Sequence, residues 1–232
     1  MKHCLYLLWT VLIALPTMSF AAPQRVLVIG DSMMRVTAHA IELQISRRGV
    51  AESRAFTSLG SGIARLDSFD WMEKIDELVA EFSPDVTIAW FGTNDHQPMS
   101  TPDGIIRPGD PAWAVEYGRR VGEAMDKLAA VSDARIVWLE LPDMRDASLQ
   151  RDVELINSIV AEQAEQRDAV MFYPTRSLLS RRPGTFSMHV AGPTGMPLSI
   201  RDADGVHLNR AGADRIADSV LGYLFDGGQP PQ

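Results

Sequence analysis

The chain has 232 residues, 46% of them hydrophobic, 22% charged and one a cysteine, which excludes a disordered chain, a collagen-like fibre and a disulfide-stapled miniprotein. That length suits a single domain with an ample core. Thirty acidic side chains against 22 basic ones give a formal charge of −8, a sign that repels phosphate backbones and argues against nucleic acid as a partner.

The first residues read as an export signal. Lys2 and His3 precede Leu5 to Leu15, apolar except for Thr10; Pro16 stops the run, and Ser19-Phe20-Ala21 sets small residues at the −3 and −1 positions of a cleavage site. The run is shorter than the ~20 residues that cross a bilayer, so removal is expected rather than anchoring. Cys4 lies ahead of the run and cannot be the lipidated first residue of a mature lipoprotein. Cleavage after Ala21 leaves residues 22–232, a 211-residue domain, and removes Lys2, the one formal charge of the segment, for a net −9. It also removes the only cysteine, which excludes thiol catalysis and thiolate metal sites. The expected location is the periplasm or the medium, with no stable membrane insertion.

From residue 25 strands and helices alternate. Arg25–Ile29 is a short β-branched run closed by Gly30, as in a buried parallel strand. Met34–Arg48 carries Ala38, Ile41 and Ile45 at helical spacing and stops at Gly49. Within it His39 reads as a partly buried packing residue. Ala51–Thr57 is a weaker strand; Phe69–Phe82 is a helix with Trp71, Ile75, Leu78, Val79 and Phe82 on one face. Asp85–Phe91 is a third strand, followed by a Pro- and Gly-rich loop over Asn94–Pro111. Ala112–Val131 is a helix, Arg135–Leu141 a strand, Asp152–Gln166 a helix and Ala169–Tyr173 a fifth strand. A second long loop, Pro174–Asp204, leads to a last helix over Asn209–Phe225. Trp71, Trp90, Trp113 and Trp138 read as core, with Trp71 and Trp113 also able to border a cleft. The pattern predicts a five-stranded, mostly parallel sheet between two helical layers, an α/β/α sandwich. Ligands of such sheets gather at the carboxyl ends of the strands.

Four polar signals fall at those ends. Gly30-Asp31-Ser32 puts a serine at a helix N-terminus, where a developing anion is favoured, although Asp or Ser there also serves as a plain helix cap. Gly60-Ser61-Gly62 lets a backbone N–H approach a ligand, or is a flexible turn. Gly92-Thr93-Asn94-Asp95 offers a side-chain amide to a carbonyl turning negative, or an Asx turn. Asp204-Gly205-Val206-His207 can bring a carboxylate against an imidazole and leave the other ring nitrogen free to take a serine proton. His96 and His189 have no acid at comparable spacing. A calcium loop over 200–211 fails, since its first and last ligand positions are Ile200 and Ala211.

Together with Phe69-Asp70-Trp71, Leu141-Pro142-Asp143-Met144-Arg145 and Arg201-Asp202-Ala203-Asp204, these blocks resemble the SGNH (GDSL-like) hydrolase superfamily. Within it they are similar to the exported bacterial group called domain of unknown function 459. The resemblance implies a flavodoxin-like fold with Ser32 as nucleophile, His207 as general base and Asp204 orienting it. It implies an oxyanion hole from the Ser32 N–H, a glycine N–H and the Asn94 side chain. Gly60 and Gly62 both align; Gly62 is favoured by the Gly-Ile-Ala-Arg that follows. No metal or organic cofactor is implied. Asp31, Gln97 and Arg201 are further candidates for substrate contact. The expected substrate is a small ester or an acylated envelope glycan, hydrolysed through an acyl-enzyme. Alternatives are O-acyl transfer to a polysaccharide, a lysophospholipase-like lipid esterase, or a non-catalytic binding module of the envelope.

Overall fold

The computed structural model describes residues 24–182 and 184–231, so the export signal read over residues 1–21 lies outside the described residues. The first half runs β1 (Gln24–Gly30), α1 (Ser32–Arg48), β2 (Ala51–Thr57), α2 (Trp71–Phe82), β3 (Val86–Trp90), the short strands β4 (Met99–Thr101) and β5 (Gly104–Ile106), and α3 (Pro111–Leu128). The second half runs β6 (Arg135–Leu139), α4 (Ala147–Glu165), β7 (Val170–Tyr173), α5 (Arg176–Leu179), β8 (His189–Ala191), β9 (Pro197–Ser199) and α6 (Arg210–Phe225).

The central sheet has the order β2-β1-β3-β6-β7, and every pairing in it is parallel. Val26 to Gly30 and all of β3 are buried, which is why these strands read as near-continuous apolar runs, with Thr87 the one polar residue, rather than alternating ones. Helix α1 packs against α6 on one face, while α2 packs on α3 and α3 on α4 on the other. The expected α/β/α sandwich of flavodoxin-like order is what forms. Chain direction across the sheet reverses between β1 and β3, and the crevice at their carboxyl ends is where this architecture places ligands.

The apolar faces foreseen for the helices are buried: Ala38, Ile41 and Ile45 on α1, and Trp71, Ile75, Leu78 and Phe82 on α2. The four tryptophans in the described residues are all core, Trp71 and Trp113 included. Each of Trp71, Trp90 and Trp113 satisfies its indole N–H internally, donating to Ser61 Oγ (2.9 Å), Glu140 O (3.1 Å) and Gln97 O (2.7 Å). Such bonds allow a large polar-tipped ring to sit inside without leaving an orphan donor.

Several expectations are corrected. Helix α1 begins at Ser32 rather than Met34, because Asp31 caps it, accepting from the Met33 N–H at 2.8 Å. Helix α4 begins five residues before Asp152, capped by Asp146, whose carboxylate takes the Ser148 and Leu149 N–H groups. Both long loops contain a small antiparallel hairpin, β4–β5 and β8–β9, and the second also holds the one-turn α5. These three-residue strands are too short to show a period of two in sequence. His39 is exposed on α1 instead of partly buried.

Helix α4 is tied to the segment after β6 by Asn157, buried, which accepts from Leu141 N and donates to Leu141 O, both at 2.8 Å. An Asn157→Ala substitution orphans both backbone groups inside the protein. It should lower the unfolding free energy by about 2 kcal/mol or more, read from urea denaturation; an unchanged midpoint would contradict this.

Candidate active site

The carboxyl edge of the sheet collects the polar blocks. Ser32 is the first residue of α1, directly after β1, with its N–H among the orphan donors of a helix N-terminus and unpaired among the described residues. Its Oγ lies 2.8 Å from His207 Nε2. His207 Nδ1 lies 2.6 Å from Asp204 Oδ2. The other oxygen, Asp204 Oδ1, accepts the Val206 and His207 backbone N–H groups at 2.8 and 3.0 Å. Partial burial works to raise the Asp204 carboxyl, but the imidazole and the two N–H donors prevail and hold it at about 2. Asp204 is therefore ionised throughout the neutral range. A carboxylate on Nδ1 fixes the proton there and leaves the Nε2 lone pair facing the serine hydroxyl. Asp204 does not cap α6; that role belongs to Asn209, which accepts the Gly212 N–H at 3.1 Å.

The turn carrying this pair is anchored from below. Gly205 has φ +79°, a left-handed conformation suited to glycine, and its carbonyl accepts the Arg145 N–H at 3.2 Å. Arg145 also donates to Ala203 O at 2.8 Å. The Arg201 guanidinium is buried beneath the turn and donates to Val206 O (2.7 Å) and Asp143 O (2.5 Å). Burial pulls its pKa down to about 10 against the opposing charges of Asp143 and Asp204. Phe186 has Arg145 and Arg201 over its ring, at 5.1 and 5.3 Å.

Asn94 follows β3 and donates one amide hydrogen to Ser61 O at 3.0 Å, which orients the amide and leaves its second hydrogen uncommitted. Asp95, without exposed surface, accepts from Ala64 N (3.0 Å) and Tyr117 Oη (2.8 Å). Burial raises the carboxyl of Asp95 and lifts the Tyr117 phenol well above its usual range. Of the two candidate glycines, Gly62 is buried against this carboxylate, while Gly60 is exposed with open space around it. A β-carbon at Gly62 would lie 1.9 Å from Asp95 Oδ1.

The three residues expected to touch substrate are occupied otherwise. Asp31 is fully buried, its carboxylate shared between the Met33 N–H (2.8 Å) and the Gly92 N–H (3.0 Å). Gln97 donates to Asn94 O (2.5 Å) and accepts from Arg65 (3.4 Å). Arg201 spends both terminal nitrogens on backbone carbonyls, as above. All three brace the loops that carry Ser32, Asn94 and His207. Arg120, on α3, was not foreseen: it joins the Gly62 loop to β4 by donating to Ala64 O (2.8 Å) and Ser100 O (2.6 Å). Nothing local in the sequence marks it. Among the described residues no group of three or more His, Cys, Asp or Glu side chains is placed to hold a metal ion, and no helix is long and apolar enough to cross a membrane.

A parallel five-stranded sandwich with a Ser–His–Asp chain at the β1/β3 crevice defines an SGNH-hydrolase-like fold. It is similar to a Slackia heliotrinireducens protein assigned to the SGNH hydrolases (17% identity, 84% of this chain and 96% of that one, TM-score 0.53). A Streptococcus pneumoniae protein assigned as a platelet activating factor is also similar (18%, 90% and 87%, TM-score 0.57). So is the C-terminal catalytic domain of peptidoglycan O-acetyltransferase A from Streptococcus pneumoniae (15%, 91% and 98%, TM-score 0.53). No curated protein matches in sequence. The chain belongs to the family described as protein of unknown function DUF459, whose model matches residues 25–223.

Two predictions follow from the buried carboxylates. Gly62→Ala must displace Asp95 or the loop and should be more destabilising than Gly60→Ala, which meets only the left-handed φ of +68°; thermal unfolding of the pair compares them. Burial, helped by the Asp95 charge, pushes Asp31 up to about 7 from its ordinary 3.8. The folded protein then keeps a proton that the unfolded chain releases, so this group's contribution to stability falls as pH rises from about 4 to about 7. Asp31→Asn cannot titrate. The unfolding free energy of wild type minus that of the variant should decline across this window, and a flat difference would exclude a raised Asp31.

Proposed function

We propose that the protein is an exported serine esterase of the SGNH type, cleaving an acyl ester, an O-acetyl group on a cell-envelope glycan, through an acyl-enzyme. The observation that carries this reading is the continuous chain Asp204–His207–Ser32 at 2.6 and 2.8 Å. His207 Nε2 takes the hydroxyl proton as Ser32 Oγ attacks the ester carbonyl, and Asp204 stabilises the imidazolium that results. The negative oxygen of the tetrahedral intermediate is received by the Ser32 N–H at the positive end of α1, by the Gly62 N–H and by the free amide hydrogen of Asn94. On collapse, the imidazolium gives its proton to the departing alcohol. Water activated by the same imidazole then attacks the acyl-serine, releasing the acid and restoring Ser32.

The glycan part of the proposal is supported by the polar character of the loops around the site, and export by the signal-like residues 1–21. Transfer of the acyl group to a sugar hydroxyl is the second reading, favoured by the likeness to the peptidoglycan O-acetyltransferase domain. The two share the acyl-enzyme and differ only in whether water or a sugar hydroxyl attacks it.

With p-nitrophenyl acetate, Ser32→Ala should lose turnover, and full activity in that variant would sink the assignment. Asn94→Ala should be slowed about a hundredfold or more, the usual effect of removing one oxyanion donor. Acetate released from O-acetylated glycans, with and without deacetylated glycan as acceptor, separates hydrolysis from transfer.

A further inference from the structure

A second imidazole–carboxylate pair stands on the segment that carries Asn94. His96, two residues after Asn94, places Nδ1 2.8 Å from Asp152 Oδ1, although 56 residues separate them in sequence. Both side chains are about a quarter exposed, at 27% and 25%. The Trp113 ring meets the His96 ring edge-on, with centroids 5.3 Å apart. Every residue around His96 is pinned: Asn94 to Ser61 O, Asp95 to Ala64 N and Tyr117, and Gln97 to Asn94 O while its own carbonyl accepts the Trp113 N–H. Asp152 stands on α4, whose entry at Arg145 is bonded to Gly205 and Ala203, next to Asp204. The pair thus links the Asn94 segment after β3 to α4, the helix whose entry is bonded to the turn of Asp204 and His207.

The chemistry of the pair follows from its contact. Two lone pairs 2.8 Å apart repel, so a carboxylate against Nδ1 requires the proton there and leaves Nε2 an acceptor in the neutral ring and a donor in the imidazolium. Among the described residues Nε2 has no partner. Either form presents a rigidly held, partly exposed polar atom, which a hydroxyl, donor and acceptor at once, can meet and a hydrocarbon chain cannot.

We infer that His96, held by Asp152, binds a hydroxyl of the alcohol half of the ester and so selects polyhydroxylated alcohols, sugars above all. The inference rests on the esterase reading and adds the substrate class to it. His96 takes no part in bond making; its Nε2 hydrogen-bonds a neighbouring hydroxyl while Ser32 attacks the acyl carbon.

The test compares two esters of one acid, methyl 6-O-acetylglucoside and ethyl acetate, in wild type, His96→Ala and Asp152→Asn. The ratio of kcat/KM for the glucoside over that for ethyl acetate should fall about tenfold in His96→Ala, the scale of one hydrogen bond to a carboxylate-polarised group. The loss should lie mainly in KM. Asp152→Asn should lower the same ratio by a smaller factor. An unchanged ratio, or equal loss on both esters, overturns the inference, because a merely structural ion pair acts on both alike. Failure of the esterase reading looks different: wild type and Ser32→Ala would then be equally inactive on both esters. In that event glucoside binding to Ser32→Ala, followed by NMR titration, decides for His96: adding His96→Ala should weaken binding about tenfold, and equal affinity overturns the proposal.

Discussion

A carboxylate with no path to water organises the site. Asp31 lies between the first turn of α1 and the backbone of Gly92, and each of its oxygens is claimed by an N–H group. Because a buried carboxyl must be satisfied where it stands, the end of β1 and the end of β3 are held in one relation. Ser32 leaves from one side of this joint and Asn94 from the other. Asp95 repeats the device one layer away, joining the Gly62 loop to α3 through Ala64 and Tyr117. Ser32 and the Asn94 amide thus hang from two buried carboxyls whose burial raises their pKa values. That burial is destabilising by itself, and its return is geometry: neither loop can shift without orphaning a buried oxygen.

The third arm is fastened differently. The turn of Asp204 and His207 stands in partial contact with solvent and is secured by cations rather than by buried acids. Arg201 from beneath and Arg145 from the side donate to its carbonyls and to the segment after β6. A chain of net charge −8 thus sets two of its guanidinium groups at this turn, where they also flank the Phe186 ring. The acidic surface and the local chemistry are separate matters: the first bears on association with polyanions, the second on how an imidazole is held.

Local signals account for much of this. Apolar runs ended by glycine marked β1 and β3 because a strand buried on both faces must be apolar throughout. Asp31-Ser32 was legible as a junction, since caps and nucleophiles share one short polar vocabulary, yet that same ambiguity led Asp31 to be read as a substrate contact when it is a cap. Sequence could not show the bracing bonds of Arg201 and Gln97 either, because a polar side chain in a loop has the same letter whether it faces ligand or braces backbone. The hairpins β4–β5 and β8–β9 were hidden by their shortness.

Sequence by itself determined the order of the five central strands and the five long helices, the residues at the strand ends and the Asp204–His207 pairing, because each depends on neighbours within a few positions. Tertiary structure alone decided which polar groups are buried and with whom they pair. His96 illustrates the difference: no acid near it in the chain suggested a partner, and Asp152 reaches it only because β3 and β6 are adjacent and parallel. Burial, and with it the raised Asp31 and the depressed Arg201, depends on what packs overhead. That is set by the closure of the whole sheet and its helices, and no local spacing encodes it.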